Sequence, residues 1–136
     1  MAIIVEKDMD IVNVPQGYTL AVAFSTDRNW IRLPGLIDEA FNINDRDENE
    51  YKVGDVGKID NLYMLFVKES SYDAPIWSAL EKSLNKLAKK VEKKNIKNLA
   101  MPKICCGKNG FDWEEVECLI EEIFCDVDVN IMICSR

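Results

Sequence analysis

Six short, largely apolar stretches recur along the chain, and polar or turn-forming residues separate them. Continuous apolar runs of this length are typical of strands that are buried on both faces of a sheet. Two of the runs are separated by Asp60 and Asn61, and this spacing predicts a β-hairpin. The predicted strands comprise residues 2–5, 19–24, 53–59, 62–67, 98–101 and 127–134.

Three stretches between these strands carry apolar residues at helical spacing. The most regular one has an apolar stripe within residues 76–91 and lysines on the opposite side, which is typical of a helix with one buried face. Asp73 is predicted to cap this helix and Pro75 to lie in its first turn. Asp112 and Glu115 form a capping pattern at the start of another helix. The helices are predicted over residues 33–43, 73–93 and 112–123.

The order of these elements predicts an α/β fold with a mixed sheet and helices on both of its faces. Ligands of such sheets bind in the crevice beyond the carboxyl ends of the strands. Two loops have the position that this crevice requires. The first loop comprises residues 25–34, after the second strand, and the second loop comprises residues 102–112, before the last helix.

Length and charge narrow the possible functions. The 136 residues predict one domain over residues 1–136, and 17 basic against 24 acidic side chains leave a formal net charge of −7. A negative charge argues against non-specific nucleic-acid binding, which requires many phosphates to be neutralised. The chain has no histidine, which excludes a histidine-based triad, a histidine-ligated zinc and a histidine general base.

The cysteines and the apolar runs indicate a compartment. The chain has five cysteines, an odd number, and no C-x-x-C motif. Neither a disulfide framework nor a zinc ribbon is therefore expected. Buried thiols in a reducing environment are the simpler interpretation. No apolar run is long enough to cross a bilayer, and no signal peptide precedes the first strand. We therefore expect a cytoplasmic protein that needs neither a metal nor a cofactor and that contacts no membrane.

The second loop carries the strongest physical signal for a ligand. Gly107 and Gly110 lie between a buried strand and the amino end of a helix, where exposed backbone N–H groups and the helix dipole suit a phosphate. Glycine also lets the backbone approach an anion closely. Lys108 can add positive charge. A plain turn with an exposed lysine is the alternative interpretation of the same residues.

Two sequence blocks carry a family resemblance. Residues 101–113 read Met-Pro-Lys-Ile-Cys-Cys-Gly-Lys-Asn-Gly-Phe-Asp-Trp, and residues 119–124 read Leu-Ile-Glu-Glu-Ile-Phe. Together they resemble the carboxyl-terminal signature of small stand-alone macro domains of the terminal ADP-ribose–protein glycohydrolase type and of the related ADP-ribose-1''-phosphate phosphatases. The resemblance is strong over residues 62–134 and loose over residues 1–61. It implies a three-layer α/β/α sandwich with a mixed central sheet and a crevice that binds ADP-ribose or ADP-ribosylated species.

The resemblance assigns ligand contacts to particular positions. Asp8 corresponds to the aspartate that accepts a hydrogen bond from the adenine amino group, although Lys7 replaces the glycine that precedes it in the family. The second loop corresponds to a phosphate-and-ribose loop that acts mainly through backbone N–H groups. The ligand-binding residues implied there are Cys106, Gly107, Lys108, Asn109, Gly110 and Phe111.

The first loop departs from the family pattern. The family carries a glycine pair there, whereas residues 30–35 read Trp-Ile-Arg-Leu-Pro-Gly. We therefore expect Arg28 or Arg32 to supply the charge for a diphosphate contact that backbone amides supply elsewhere in the family. Ser25 belongs to the same loop and is a further candidate contact. Trp30 is a candidate for stacking on the ligand, with a role in packing as the alternative.

Two positions bear on catalysis. In the glycohydrolase type, a lysine on the helix after the first loop attacks the distal ribose, and an aspartate in the second loop assists. No lysine lies between Lys7 and Lys52, and Asn109 occupies the aspartate position. An amide can bind a ribose hydroxyl but cannot act as a general base near neutral pH. Asp38 is the other candidate catalytic residue, as an acid or base, and a solvated helix carboxylate is its alternative interpretation.

Three functions follow as hypotheses. The leading one is a monomeric ADP-ribose-binding macro domain, with hydrolysis weak or limited to ADP-ribose-1''-phosphate. The second is an active hydrolase that removes ADP-ribose from acidic side chains of proteins. The third is a degenerate macro fold that acts as a protein-interaction module, with the first loop filling the crevice.

Overall fold

The computed structural model describes residues 1–107 and 109–135. Among these residues the chain forms six strands, four α-helices and a one-turn 3-10 helix at Ile11–Asn13. Each predicted strand and helix is present, and α2 is an additional short helix. The strands are β1 (Ile3–Lys7), β2 (Thr19–Ser25), β3 (Val56–Ile59), β4 (Leu62–Lys68), β5 (Asn98–Pro102) and β6 (Asn130–Cys134). The helices are α1 (Arg32–Phe41), α2 (Ile43–Arg46), α3 (Trp77–Lys93) and α4 (Trp113–Ile123).

The six strands form one mixed sheet in the order β1-β6-β5-β2-β4-β3. Neighbouring strands are parallel except for β3 and β4, which pair antiparallel from Val56 opposite Leu65 to Ile59 opposite Leu62. The turn between them places Asp60 in the left-handed conformation, with φ 52°. The predicted hairpin and the predicted mixed sheet are therefore both confirmed.

Each face of the sheet carries its own apolar core. Successive side chains of β4 belong to different cores, because neighbouring residues of a strand point to opposite faces. Leu65 lies in one core with Leu84 of α3, whereas Met64 lies in the other with Ile37 of α1. Each fully buried side chain of this kind contributes roughly 1.5–3 kcal/mol relative to exposure. With α3 and α4 on one face and α1 and α2 on the other, the fold is the expected three-layer α/β/α sandwich.

β1 lies at the edge of the sheet, and its side chains are more exposed than the apolar run predicted. Ile3 is 60% exposed and Val5 is 47% exposed. β1 pairs with β6 on one side and has no strand on its other side among the described residues. The prediction of a buried strand was wrong here, because an apolar run does not indicate which strand ends the sheet.

α3 begins later than the capping pattern predicted. Its first residue is Trp77, its N-cap is Ile76, and no side chain caps it. Asp73 instead accepts a hydrogen bond from the backbone N–H of Ser70 in the preceding loop, at 3.3 Å. Pro75 disfavours the helical conformation at residue 74, which would be the first helical residue after a cap at Asp73. The predicted cap at Asp73 was therefore wrong.

α4 begins directly after Asp112, as the sequence predicted, but the capping bond is different. The Asp112 side chain makes no hydrogen bond to the helix, and its backbone carbonyl accepts from Glu115 at 3.1 Å and Val116 at 3.2 Å. Glu114 and Glu115 lie in the first turn, where carboxylates interact favourably with the helix dipole. The acidic residues therefore stabilise the start of α4 through charge rather than through a side-chain cap.

Three loops leave the sheet at the carboxyl ends of three neighbouring strands. β5, β2 and β4 are adjacent and parallel, so their carboxyl ends lie at the same edge of the sheet. The first loop follows β2, the second loop follows β5, and residues 69–76, here named the β4–α3 loop, follow β4. The sheet order therefore brings together loops that are distant in the sequence.

Candidate functional site

A cleft of about 440 Å³ lies where the three loops meet. The carboxyl ends of β2 and β4 line it, together with residues 30–34 of the first loop. Residues 71–73 of the β4–α3 loop and residues 102–107 of the second loop complete much of the lining. Small-molecule sites typically occupy about 300–1,000 Å³, so the cleft has the size of a ligand site.

The second loop folds back on itself through two backbone hydrogen bonds. Phe111 donates to the carbonyl of Cys105 at 2.7 Å, and Gly110 donates to the carbonyl of Gly107 at 2.9 Å. A Cβ at Gly110 would lie 2.2 Å from the Cys105 carbonyl oxygen, so this conformation requires glycine there. Cys105 and Asn109 have φ of 60° and 68°, which costs roughly 1–2 kcal/mol for a residue with a side chain. Strained backbone of this kind is often found at functional sites.

The structure brings most of the second-loop residues implied by the resemblance to the cleft. Phe111 is an exception, because its ring packs edge-on against Trp77 at a centroid distance of 5.0 Å and does not line the cleft. Lys108 lies outside the described residues. The implied residues that line the cleft are Cys106, Gly107, Asn109 and Gly110.

The two adjacent cysteines of the second loop carry protonated thiols at neutral pH. Burial raises the pKa of Cys105 to about 12. Burial also raises the pKa of Cys106, whose Sγ donates a hydrogen bond to the carbonyl of Ile104 at 3.2 Å. Because the thiolate is the nucleophilic form of cysteine, neither thiol is suited to nucleophilic catalysis.

Of the two arginines predicted to contact a diphosphate, Arg32 lines the cleft and Arg28 does not. Arg32 is the first residue of α1 and has φ 55°. The Arg28 guanidinium donates to the side-chain oxygen of Asn44 at 3.2 Å and to the carbonyl of Asn49 at 2.8 Å, and it lies 3.7 Å from the Asp47 carboxylate. Arg28 therefore holds the chain around α2, and Arg32 is the arginine that a ligand in the cleft can reach.

Trp30 and Ser25 also line the cleft, and both are tied into the first loop. The Trp30 indole N–H donates to the carbonyl of Ser25 at 2.9 Å. Its ring packs edge-on against Phe24 at a centroid distance of 4.8 Å, and the Arg28 guanidinium lies 5.9 Å from the ring centre. Trp30 therefore has the packing role that was the alternative to ligand stacking. Its ring also borders the cleft.

Two predicted carboxylates lie outside the cleft lining. Asp38, on α1, accepts hydrogen bonds from the backbone N–H of Asn44 at 2.9 Å and from its side-chain amide at 3.2 Å. Those bonds hold α2 against the end of α1. Asp38 does not line the cleft, so the structure does not place it there as a candidate acid or base. Asp8 is exposed and directly follows β1, at the same edge of the sheet as the cleft.

A lysine that was not among the predicted site residues also lines the cleft. Lys68 ends β4, and its Nζ donates to the carbonyl of Ser71 at 3.0 Å. The resemblance implies a catalytic lysine on the helix after the first loop, and α1 has none. The cleft lining instead includes a lysine at the end of β4. A signal for it was present, since Lys68 directly follows the apolar run 62–67 at a strand end that the crevice requires.

The charge of the cleft is opposite to that of the chain. Among the described residues its lining contains Arg32, Lys68 and Lys103 against the single carboxylate of Asp73. Lys103 also lies 3.5 Å from the Glu6 carboxylate, which partly offsets its charge. In a chain of net charge −7 this local excess of cations favours an anionic ligand.

Two features are absent from the part of the chain that the structure describes. No group of three or more cysteine or carboxylate side chains there could hold a metal ion. No helix there is long and apolar enough to cross a membrane.

Comparison with known sequences connects the carboxyl-terminal half of the chain to one family. The Macro domain family model matches residues 67–120. Human ADP-ribose glycohydrolase OARD1 is 33% identical over 72 residues, which cover 53% of this chain and 47% of that protein. The chain therefore spans about half the length of the curated relative that it matches.

Comparison with solved structures covers the whole chain. The macrodomain of Thermus aquaticus DarG superposes with a TM-score of 0.82 at 15% identity, with 100% of both chains covered. The chain has the fold of a macro domain. Thermosipho africanus DarTG, solved in complex with ADP-ribose, superposes with a TM-score of 0.66 at 16% identity, and the match covers 87% of this chain and 38% of that chain.

The first and second loops differ in how closely they follow the family. The family match includes Lys68 and the second loop and leaves the first loop outside it. The departure at residues 30–35 therefore falls in the unmatched half of the chain. The resemblance inferred from residues 101–113 and 119–124 is confirmed, and so is the fold that it implies.

Proposed function

We propose that this macro domain binds ADP-ribose, or a derivative of it, in the cleft between the three loops. The observation that carries the proposal is the local charge, with Arg32, Lys68 and Lys103 at the cleft in a chain of net charge −7. The names of two relatives support this choice of anion. Human OARD1 is an ADP-ribose glycohydrolase, and Thermosipho africanus DarTG was solved with ADP-ribose.

The diphosphate is the part of ADP-ribose that this cleft would hold most strongly. Arg32 can donate two parallel N–H···O bonds to phosphate oxygens, and Lys68 adds a point charge from the end of β4. α1 begins at Arg32, so the first turn of the helix adds the positive end of its dipole. Gly107 has no heavy atom within 4 Å of the position that a Cβ would occupy, which leaves the backbone there open to a ligand.

Isothermal titration calorimetry with ADP-ribose tests the proposal. We expect saturable binding with one site per chain, and weaker binding of AMP, which lacks the second phosphate and the distal ribose. The absence of any binding heat at millimolar ADP-ribose would contradict the proposal.

Lys68 favours a second candidate function, removal of ADP-ribose from acidic side chains of proteins. The uncharged amine of a lysine in the cleft could attack C1'' of the distal ribose, with the protein carboxylate leaving as an anion. Hydrolysis of the ribosyl-lysine adduct by water would then release ADP-ribose and restore the amine. Asn109, which also lines the cleft, could bind a ribose hydroxyl during these steps.

Release of label from an ADP-ribosylated protein tests this second function. The wild-type chain should release label, Lys68→Met should abolish release, and Asn109→Ala should reduce it strongly. A parallel assay with ADP-ribose-1''-phosphate should release inorganic phosphate if that compound is the substrate. No turnover of either substrate would leave ADP-ribose binding as the function.

The shape of the cleft counts against the third hypothesis, a degenerate fold used for protein interactions. That hypothesis expects the first loop to fill the crevice. Residues 30–34 instead form one wall of an open cleft of about 440 Å³.

A further inference from the structure

One carboxylate joins the first loop to the β4–α3 loop. Within the first loop, Asp27 Oδ1 accepts from the hydroxyl of Ser25 at 2.8 Å and from the backbone N–H of Asn29 at 3.1 Å. Across the gap, Asp27 Oδ2 accepts from the backbone N–H of Ser71 at 3.2 Å. Oδ1 also lies 3.3 Å from the Ser71 hydroxyl, so the carboxylate contacts both loops and connects them.

Ser71 strengthens this connection with its own side chain. Its Oγ lies 3.0 Å from the Oγ of Ser25 and donates a short hydrogen bond to the carbonyl of Asn29. Ser71 is therefore held to the first loop through both its backbone and its hydroxyl.

The carbonyl of Ser71 is also the acceptor for the cleft lysine. Lys68 Nζ donates to it at 3.0 Å. A continuous chain of hydrogen bonds thus runs from Asp27 to Ser71 and from Ser71 to Lys68. Tyr72 directly follows Ser71, lines the cleft and is 81% exposed. The hydrogen bonds that hold Ser71 therefore also restrain the backbone that leads into Tyr72.

We propose that Asp27 is a positioning residue, which sets the place of the Lys68 ammonium in the cleft by holding Ser71. The inference rests on the proposed function, because it assigns Lys68 to ligand binding. Asp27 does not line the cleft, so its effect on a ligand is indirect. Without its second oxygen, the Ser71 backbone N–H would lose its acceptor in the first loop, and the Ser71 carbonyl that accepts from Lys68 would be held less firmly.

The ionised form of Asp27 suits this role. Partial burial acts to raise its pKa, but hydrogen bonds from Ser25, Asn29 and Ser71 outweigh burial and leave the pKa below its ordinary value. A carboxylate accepts at both oxygens, whereas an amide accepts at one and donates at the other. In Asp27→Asn, whichever way the amide turns, its NH2 group faces a backbone N–H donor, that of Asn29 or that of Ser71.

Titration of ADP-ribose into four proteins tests the coupling between Asp27 and Lys68. The proteins are the wild type, Asp27→Asn, Lys68→Met and the double variant. We expect each single change to weaken binding by about tenfold, equivalent to about 1.4 kcal/mol. The double variant should bind no more than about twofold more weakly than Lys68→Met, because Asp27 acts through Lys68. Independent, multiplicative losses would overturn the proposal.

Asp55→Asn is the matched control. Asp55 also accepts from a backbone N–H, that of Lys52 at 2.8 Å, and from a lysine, Lys86 at 3.3 Å, but it does not line the cleft. Its loss should lower the unfolding temperature and leave the ADP-ribose affinity within about twofold of wild type. An equal loss of affinity in Asp55→Asn would mean that Asp27→Asn acts only through stability.

A measurement without ligand separates this inference from the proposed function. Reductive 13C-methylation of the lysines, with the Lys68 signal assigned through Lys68→Arg, reports the surroundings of its amine by NMR. Asp27→Asn should move the Lys68 signal toward those of the exposed lysines, and Asp55→Asn should not. If wild type fails to bind ADP-ribose while the signal moves, the ligand is wrong and the positioning of Lys68 stands. An unmoved signal overturns the positioning role.

Discussion

At the scale of single residues, the cleft differs from its surroundings in charge and in backbone conformation. Arg32 and Lys68 are cations in an acidic chain, and Arg32, Cys105 and Asn109 have left-handed backbone at the lining. Hydrogen bonds between a charged side chain and a ligand contribute about 1.5–3 kcal/mol, more than a neutral pair. Individual side chains should therefore have large and separable effects on ligand affinity and on loop stability.

Replacement of Arg32 by glutamine should weaken ADP-ribose binding about tenfold or more, because a charge-assisted contact to the diphosphate is lost. Arg46→Gln is the control, since Arg46 pairs with Asp60 at the surface at 3.0 Å and does not line the cleft. Calorimetric titration of both variants measures the difference. Equal affinities of Arg32→Gln and wild type would remove Arg32 from the binding site.

The two glycines of the second loop should respond differently to alanine. In Gly110→Ala the new Cβ would meet the Cys105 carbonyl oxygen at 2.2 Å, so the loop must shift at a cost of about 1–3 kcal/mol. Gly107→Ala adds its methyl group to open space and should change stability by less than about 0.5 kcal/mol. Urea unfolding of both variants decides this. A stable Gly110→Ala would show that the loop adopts another conformation.

At the scale of elements, polar contacts attach the first loop and α2 to their neighbours, in addition to the packing of the buried Ile43. Arg28, Asn44 and Asp38 connect the start of α2 to the first loop and to α1. Asp47, which is buried, accepts from the Tyr51 hydroxyl at 2.6 Å, and the Tyr51 ring stacks on Phe66 of β4 at 4.3 Å. The segment after α2 is thus attached to the sheet through one carboxylate and one aromatic ring.

The Asp47–Tyr51 pair should make stability depend on pH at both ends of the scale. Burial acts to raise the pKa of Asp47, but hydrogen bonds from Tyr51 and Asn49 and the charge of Arg28 lower it below 3.8. The contribution of Asp47 to folding stability is therefore fully present above its pKa in the unfolded chain. It is lost as the pH falls through its lower pKa in the folded protein. Burial and the hydrogen bond to Asp47 raise the pKa of Tyr51 above 10.0. The contribution of Tyr51 to folding stability is therefore present below 10.0 and is lost as the pH rises through its higher pKa in the folded protein.

Urea unfolding at acid, neutral and alkaline pH measures both effects. Tyr51→Phe removes the phenol, and we expect it to abolish the part of the alkaline loss that comes from Tyr51. Asp47→Asn should be less stable than wild type at neutral pH, and it should lose less stability on acidification. Identical acid limbs for wild type and Asp47→Asn would contradict the assignment to Asp47.

At the scale of the whole molecule, net charge and local charge act in opposite directions. The chain carries a formal charge of −7, and this repels an anionic ligand at long range. The cations of the cleft attract it at short range, where the wall of the cleft limits screening. Salt should therefore weaken the short-range attraction and the long-range repulsion to different extents.

The affinity for ADP-ribose should fall only modestly with salt. Between 50 mM and 500 mM NaCl we expect a loss of roughly twofold to tenfold, because Lys68 and Lys103 are half-buried while the distant negative charges are screened. Titration of Arg32→Gln over the same range is the control and should show a smaller loss. A gain of affinity with salt would mean that the net charge of the chain dominates binding.

The pattern of apolar residues determined which segments are helices and strands, because those periods follow from local backbone geometry. The sequence also identified the second loop as a candidate ligand-binding loop, because residues 101–113 carry the pattern of the family. Tertiary structure decided which side chains share the cleft. Arg28 and Arg32 are equivalent candidates in the sequence, and only the contacts of Arg28 with Asn44 and Asn49 separate them. Lys68 reaches the cleft because β4 lies beside β2 in the sheet, and strand order is set by pairing between distant segments.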